Sequence, residues 1–119
     1  MLPTLTATFS NLDGEVVTEN GARYEFVVFF RAAFETQQMI HIDGPGELTR
    51  DSEDEIHAVW GVVYHAANHG VTGGWKGTGG EHYHERWRWV EGKWLLASLK
   101  MVRGFWKVSQ LEGAEKEVV

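Results

Sequence analysis

The feature that most constrains this chain is a set of three long alternating stretches in its second half. Residues 55–67, 81–90 and 93–107 are rich in β-branched and aromatic residues that alternate with polar ones, which is the pattern of half-buried strands. The last two are joined by Glu91-Gly92, a tight-turn pair. Because sequential strands with short connections usually pair with one another, the sequence predicts an antiparallel meander.

The first half predicts a hairpin ahead of this meander. Residues 4–10 alternate as a strand does, and 15–18 provide a return strand. Between them lies Asp13-Gly14, a hairpin turn signal because glycine tolerates a positive φ. Further along, residues 38–49 read as an extended segment that Gly44-Pro45-Gly46 interrupts with a bulge or sharp bend. The glycine-rich stretch 69–80 reads as a loop.

One helix is predicted between the hairpin and the bent strand, from Ala22 to Glu35, with Asn20 as its cap. Val27, Phe30 and Phe34 recur at helical spacing and belong to a wide apolar face of this helix. Such a face predicts a helix buried deeply against the sheet. The predicted fold class is therefore α+β, a curved antiparallel sheet packed around a long helix.

Composition narrows the function classes. A chain of 119 residues is one domain, which we expect to span 1–110, followed by a polar tail at 111–119. The net charge of −6 disfavours nucleic acid as a partner. Cysteine is absent, which excludes disulfides and thiol chemistry. No apolar run approaches the ~20 residues of a membrane span, and we expect a cytoplasmic protein without a membrane partner.

Metal binding is the first hypothesis that the six histidines raise. His82 and His84 lie on one face of a predicted strand, about 6–7 Å apart. A site without cysteine needs three or four His or carboxylate ligands, which this pattern does not bring together. Arg86 and Arg88 lie on the same face of this predicted strand as His82 and His84. An outward polar face is therefore the simpler interpretation, and we expect no metal site.

General acid–base chemistry by one histidine is the second hypothesis. His41 lies between Ile40 and Ile42, directly after the apolar helix. Desolvation there would lower its pKa and leave a neutral base near pH 7. Tyr83 and Tyr64 could orient a carbonyl or donate a proton. A hydrogen-bonded core histidine without a chemical role explains the same position, and both interpretations stay open.

The order of these elements resembles the SnoaL-like branch of the NTF2-like superfamily, and most closely its scytalone-dehydratase group. The resemblance rests on three stretches: Pro3-Thr4-Leu5, the run from His41 to Glu55, and the run from Glu91 to Lys100. It implies a cone-like sheet around the helix. Relatives begin with one or two helices that supply a catalytic Asp and Tyr, whereas this sequence begins at the first strand. The resemblance therefore implies either a shortened variant or a natural protein that starts earlier.

When the family's site residues are carried over by position, the resemblance places its first pocket histidine at His41. Its second falls at 64–66, nearest Ala66, so that His65 matches only after a one-residue slip, which would reverse its face. A pocket amide position falls on Tyr83, which implies that Tyr83 and Glu85 face inward. A catalytic tyrosine of the first strand falls on Phe9, which has no hydroxyl.

The resemblance implies a cofactor-free dehydratase, isomerase or cyclase acting on a polyketide- or terpenoid-like intermediate, with a small hydrophobic or aromatic substrate. The alternative is a non-catalytic ligand-binding or dimerisation module on the same fold. The residues expected to be catalytic are His41, Tyr83 and Tyr64. Those expected to bind substrate are Trp60, His65, Glu85 and Phe30.

We also expect a homodimer. Without covering helices, an open cone would expose more apolar surface than monomers usually leave uncovered, and a two-fold partner is the commonest cover. At least two tryptophans of the last strands should lie at that contact: Trp87, Trp89, Trp94 or Trp106.

Overall fold

The computed structural model describes residues 1–11, 15–70 and 73–111. These ranges contain one α-helix and six β-strands. In chain order the elements are β1 (Thr6–Ser10), β2 (Val16–Asn20), α1 (Arg23–Glu35), β3 (Gln37–Ser52), β4 (Glu55–Asn68), β5 (Gly74–Val90) and β6 (Lys93–Leu111).

All six strands form a single sheet in the order β2-β1-β6-β5-β4-β3. The predicted meander is confirmed, because β3 to β6 pair as antiparallel neighbours. The sheet is nevertheless mixed, and the wholly antiparallel prediction was wrong. Strand β1 lies parallel to β6, with Thr6 opposite Ser98 and Ser10 opposite Val102. The curvature expected of the sheet stays a prediction.

Helix α1 is shallower than its sequence indicates. Phe30 is half-buried, and none of the helix residues is fully buried. Val27 and Phe34 are 38% and 42% exposed, so the predicted deep burial was wrong for both. The reason is that α1 turns a different stripe toward the sheet: Phe26, Phe29, Phe30 and Ala33 are its partly buried residues, and Val27 and Phe34 lie beside that stripe. The helix has 13 residues and is about 20 Å long, whereas the protein extends over 57 Å. One helix therefore covers only part of the sheet.

The start of α1 also differs from the prediction. Ala22, not Asn20, occupies the capping position, and its side chain makes no capping hydrogen bond. Instead the backbone N–H of Gly21 donates to Glu25 Oε2 at 3.0 Å. A carboxylate one turn into the helix thus accepts from a donor at its beginning, and it also lies where the helix dipole favours negative charge.

The hydrophobic core lies where α1 meets β1 and β6. Its buried residues are Leu5, Ala7, Leu96, Leu99 and Met101, with partly buried Phe9, Phe26, Phe30, Tyr83 and Trp87 packed against them. The aromatic residues therefore provide much of the volume of a small core.

The glycine-rich segment predicted as a loop is a strand from Gly74 onward, which corrects that prediction. Gly77 and Gly79 are buried. A Cβ at Gly77 would come within 2.3 Å of the Trp106 ring, and one at Gly79 within 2.3 Å of Tyr64. These glycines make room for aromatic rings.

Two local predictions are confirmed. The β3–β4 register shifts between Asp43 and Gly46, as the Gly-Pro-Gly sequence predicts. Glu91 and Gly92 both have positive φ, 48° and 81°, in the tight β5–β6 turn.

The β1–β2 pair is antiparallel, although the turn residues Asp13 and Gly14 lie outside the described residues. Residues 112–119 also lie outside the described residues, so the domain boundary predicted at residue 110 stays a prediction. Within the described residues, no helix combines the length and apolarity needed to cross a membrane.

Candidate active site

Strand register assembles the site from four elements. His41 on β3 lies opposite Tyr64 on β4, and Tyr64 lies opposite Gly79 on β5. Two positions further along β5, Glu81 pairs with Arg103 on β6. Because alternate residues of a strand face the same side, these side chains gather on the face that α1 covers.

A cavity of 280 Å³ lies between this face and the helix. It is mostly apolar, with a few polar groups, as ligand sites commonly are. Its lining residues are Phe9, Phe29, Phe30, Ala33, Phe34, Gln37, Met39, His41, Tyr64, Glu81, Tyr83, Arg103 and Trp106. The cavity therefore contains His41, Tyr64, Tyr83 and Phe30 among the residues that the sequence predicts for the site.

His41 is exposed at the rim of the cavity and stacks on Tyr64, with ring centroids 5.3 Å apart. Desolvation lowers its pKa below 6.5, and the charge of Asp43 opposes this in part. The imidazole is therefore neutral near pH 7, the form in which it can accept a proton.

Tyr64 and Tyr83 are held as neutral hydroxyls. Burial, with the charge of Glu81, raises the pKa of Tyr64 to about 12. Burial is also the main cause that raises the pKa of Tyr83, and Glu81 and Asp43 add to it. Both phenols are therefore donors of hydrogen bonds at neutral pH.

Glu81 and Arg103 are site residues that the sequence reasoning missed. Glu81 is only 4% exposed. Burial raises its pKa, while a hydrogen bond from Tyr64 and the positive charge of Arg103 act in the opposite direction. The parity of β5 was the available signal, since an inward Tyr83 places Glu81 on the same face.

Trp60 and Glu85, both predicted to bind substrate, do not line the cavity. Trp60 Nε1 donates to Glu85 Oε1 at 2.8 Å, and Trp87 Nε1 donates to the same oxygen at 3.1 Å. The Trp60 ring also covers Gly46, where a Cβ would approach it to 2.6 Å. The Glu85 carboxylate thus accepts hydrogen bonds from two indoles on the same face of the sheet, outside the cavity, and its contact with them is structural.

His65 lies on the other face. Its Nδ1 is 3.1 Å from Thr78 Oγ1, and its side chain is exposed. The period of two along β4 explains this, because Tyr64 and Ala66 are the buried neighbours. His65 instead borders a larger hollow of 680 Å³ together with Lys76 and Lys107. That hollow has no carboxylate or tyrosine in its lining.

His82 and His84 point outward and are exposed, as their parity with Arg86 and Arg88 predicts. Over the described ranges 1–11, 15–70 and 73–111, no group of three or more His, Asp or Glu side chains is arranged to hold a metal ion.

The tryptophans proposed for a dimer contact occupy different places. Trp106 lines the cavity and stacks on Tyr64, with ring centroids 5.8 Å apart. Trp87 packs against the core. Trp89 and Trp94 contact each other edge to face at 5.3 Å near the β5–β6 turn. A two-fold contact stays a prediction.

No family model matches the sequence. The probable cyclase FGR4 of Gibberella zeae is 45% identical over 114 residues, which cover 91% of this chain and 76% of the cyclase.

Solved structures show the same fold. A candidate scytalone dehydratase from Novosphingobium aromaticivorans superposes with a TM-score of 0.75 at 10% identity, over 99% of this chain and 77% of that one. The hexachlorocyclohexane dehydrochlorinase LinA-type3 from Novosphingobium barchaimii gives 0.72 at 13% identity, over 99% and 76%. The chain therefore belongs to the same family as this probable cyclase, and its structural neighbours show that its fold is of the SnoaL-like, NTF2-like type.

Proposed function

We propose that this protein is a cofactor-free small-molecule enzyme, a cyclase or dehydratase that acts on a polyketide- or terpenoid-like intermediate by general acid–base chemistry. One observation carries the proposal. A histidine with a lowered pKa and two tyrosines with raised pKa values border one apolar cavity. The name of the relative, a probable cyclase, supports the same reaction class.

His41 is the base in this scheme. Its neutral imidazole takes a proton from carbon next to a carbonyl, and the resulting enolate accepts a hydrogen bond from Tyr83 or Tyr64. In a dehydration, the C–O bond of a β-hydroxyl then breaks and a tyrosine protonates the leaving oxygen as water. In a cyclisation, the enolate carbon attacks a second carbonyl, and a tyrosine protonates the new alkoxide. In both, the proton that His41 took from carbon then returns to the tyrosinate, so that both residues end as they began.

The cavity matches such a substrate in size and character. Its volume of 280 Å³ suits a small ligand. Phe29, Phe30 and Trp106 offer flat apolar walls to a planar substrate.

A non-catalytic ligand-binding module is the second candidate. Phe9 favours it, because this cavity position carries no hydroxyl where the resemblance places a catalytic tyrosine. Such a module would bind the same compounds without turnover.

The deciding experiment measures turnover of ketones that carry a β-hydroxyl or a second carbonyl, with products identified by mass spectrometry. His41→Gln should lower kcat/KM by about 100- to 10,000-fold. His84→Gln removes an outward histidine and should leave the rate within about two-fold. In wild type, kcat/KM should rise with pH through the lowered pKa of His41, since the base is the neutral form.

Equal rates for wild type and His41→Gln would exclude His41 as the base. Binding without turnover of any of these ketones would favour the second candidate.

A further inference from the structure

The cavity contains a buried carboxyl group that the scheme above leaves unused. Glu81 is 4% exposed and lies on the cavity wall between Tyr64 and Arg103, with which it shares hydrogen-bond and charge interactions. Burying a carboxylate costs free energy unless its surroundings compensate for it. A carboxyl kept in such a place can readily change its protonation state when a ligand arrives.

Arg103 provides the complementary feature. Its Nε is buried and has no hydrogen-bond partner. Within the part of the chain that the structure describes, it is the only buried side-chain nitrogen or oxygen of which this is true. The guanidinium carbon lies 5.9 Å from the centroid of the Phe9 ring, and both side chains border the cavity. A buried N–H donor without an acceptor is costly, and a ligand oxygen in the cavity would satisfy it.

We infer that Glu81 and Arg103 form a ligand-oxygen site, in which Glu81 accepts the proton of a phenol or enol hydroxyl and Arg103 binds the resulting oxyanion. This inference rests on the proposed function, because it takes the cavity as the substrate site, and it names the substrate class.

The proton balance of the step is simple. The ligand O–H bond breaks, its electron pair stays on the oxygen, and the proton moves to the Glu81 carboxylate. Before and after the step, the ligand with Glu81 and Arg103 has the same total charge. A low-dielectric cavity favours such a transfer over one that leaves an unbalanced charge.

The step also fits a cyclisation. An enol that loses its O–H proton to Glu81 becomes an enolate, whose carbon attacks a second carbonyl. The protonated Glu81 then returns its proton to the new alkoxide through the Tyr64 hydroxyl, so the residue ends as it began. The substrates of this class are enolisable 1,3-dicarbonyl compounds and phenols.

The test uses 4-nitrophenol as the probe, because its absorbance distinguishes phenol from phenolate. Binding is measured at a pH where the free probe is neutral. Calorimetry in two buffers of different ionisation enthalpy counts the protons released. Wild type should bind the probe as phenolate and release no proton, since Glu81 keeps it.

Two variants separate the two roles. Glu81→Gln should still bind phenolate through Arg103 but release about one proton for each probe bound. Arg103→Met should lose the phenolate absorbance and bind only neutral phenol. Glu81→Asp, which retains a carboxyl, should behave as wild type, and the exposed Glu47→Gln and Arg88→Met are matched controls.

The inference is wrong if wild type binds neutral phenol or does not bind the probe, or if Glu81→Gln releases no proton. Circular dichroism confirms that each variant is folded. Phenolate binding with proton uptake by Glu81, but without turnover of any ketone, would refute the enzyme proposal alone. Turnover that depends on His41, together with binding of neutral phenol, would refute this inference alone.

Discussion

The two faces of strand β5 place similar residue types in opposite environments. On the helix side, Glu81 and Tyr83 border the cavity and burial raises the pKa of each. On the other side, His82 and His84 are exposed, and desolvation, followed by the charges of Lys100 and His82, lowers the pKa of His84. Desolvation is the largest cause on both faces, but it raises the pKa of the acids in the cavity and lowers the pKa of the imidazole on the outer face.

This contrast bears on where the proposed chemistry can take place. The number of histidines, six, suggests metal binding, yet His82, His84 and His65 face outward. Among the residues that the structure describes, His41 is the only histidine that borders the cavity. The face of the sheet, rather than the residue type, decides which ionisable groups can act on a ligand.

The largest expected difference between the faces concerns packing. Leu5→Ala removes a side chain with 0% exposure from the core and should lower the free energy of unfolding by about 2–5 kcal/mol. Ile40→Ala removes one that is 67% exposed and should cost less than about 1 kcal/mol. Urea denaturation measures both. Equal losses would show that the outer face is covered in solution, for example by a second copy.

A smaller difference is expected from two glycines. Gly79→Ala places a Cβ within 2.3 Å of the Tyr64 ring and should cost about 1–3 kcal/mol, because the ring must shift. Gly61→Ala meets nothing closer than His82 Nε2 at 4.0 Å and serves as the control. Thermal unfolding compares the two. A stable Gly79→Ala would mean that Tyr64 can move away from the cavity wall.

The pH dependence of stability should follow the buried carboxyl. A Glu81 pKa that is raised in the folded state means that the folded protein binds a proton more tightly than the unfolded chain does. Stability from this group is present at low pH and is lost as the pH rises through the folded pKa. Glu81→Gln should therefore raise the Tm near pH 7 and leave it nearly unchanged at pH 4.

Exposed Glu47→Gln is the control for this prediction and should not change the Tm at either pH. A Glu81→Gln variant that is less stable than wild type near pH 7 would mean that the ionised carboxylate contributes to folding.

The smallest expected effect is on the outer face. Desolvation lowers the pKa of His84 first, and the charge of Lys100 lowers it further. Lys100→Met should therefore shift the His84 titration to higher pH, as followed by NMR of its ring protons. Lys93→Met at the β5–β6 turn should leave it in place. An unchanged midpoint in Lys100→Met would contradict the prediction and show that the charge of Lys100 does not act on His84.

Much of the fold could be predicted from local pattern. The alternation of 55–67 and 81–107 determines the meander and the faces of its strands, and Glu91-Gly92 determines the turn between β5 and β6. The position of Tyr83 and the outward direction of His82 and His84 follow from the same period of two. These features are local, because each depends only on neighbours within a strand or a turn.

The tertiary structure decided what meets across strands. Gly104 is unpaired, since Gly80 lies opposite Phe105 and Glu81 opposite Arg103. This bulge lets Trp106 and Arg103 face the same cavity although they are three residues apart, which simple alternation forbids.

The parallel β1–β6 pair and the glycines that make room for Tyr64 and Trp106 are equally non-local. The sequence by itself thus determined the elements, their faces and His41 as a candidate base. Only the register of distant strands, which no local period encodes, brought Glu81 and Arg103 together on the wall of the cavity that His41 borders.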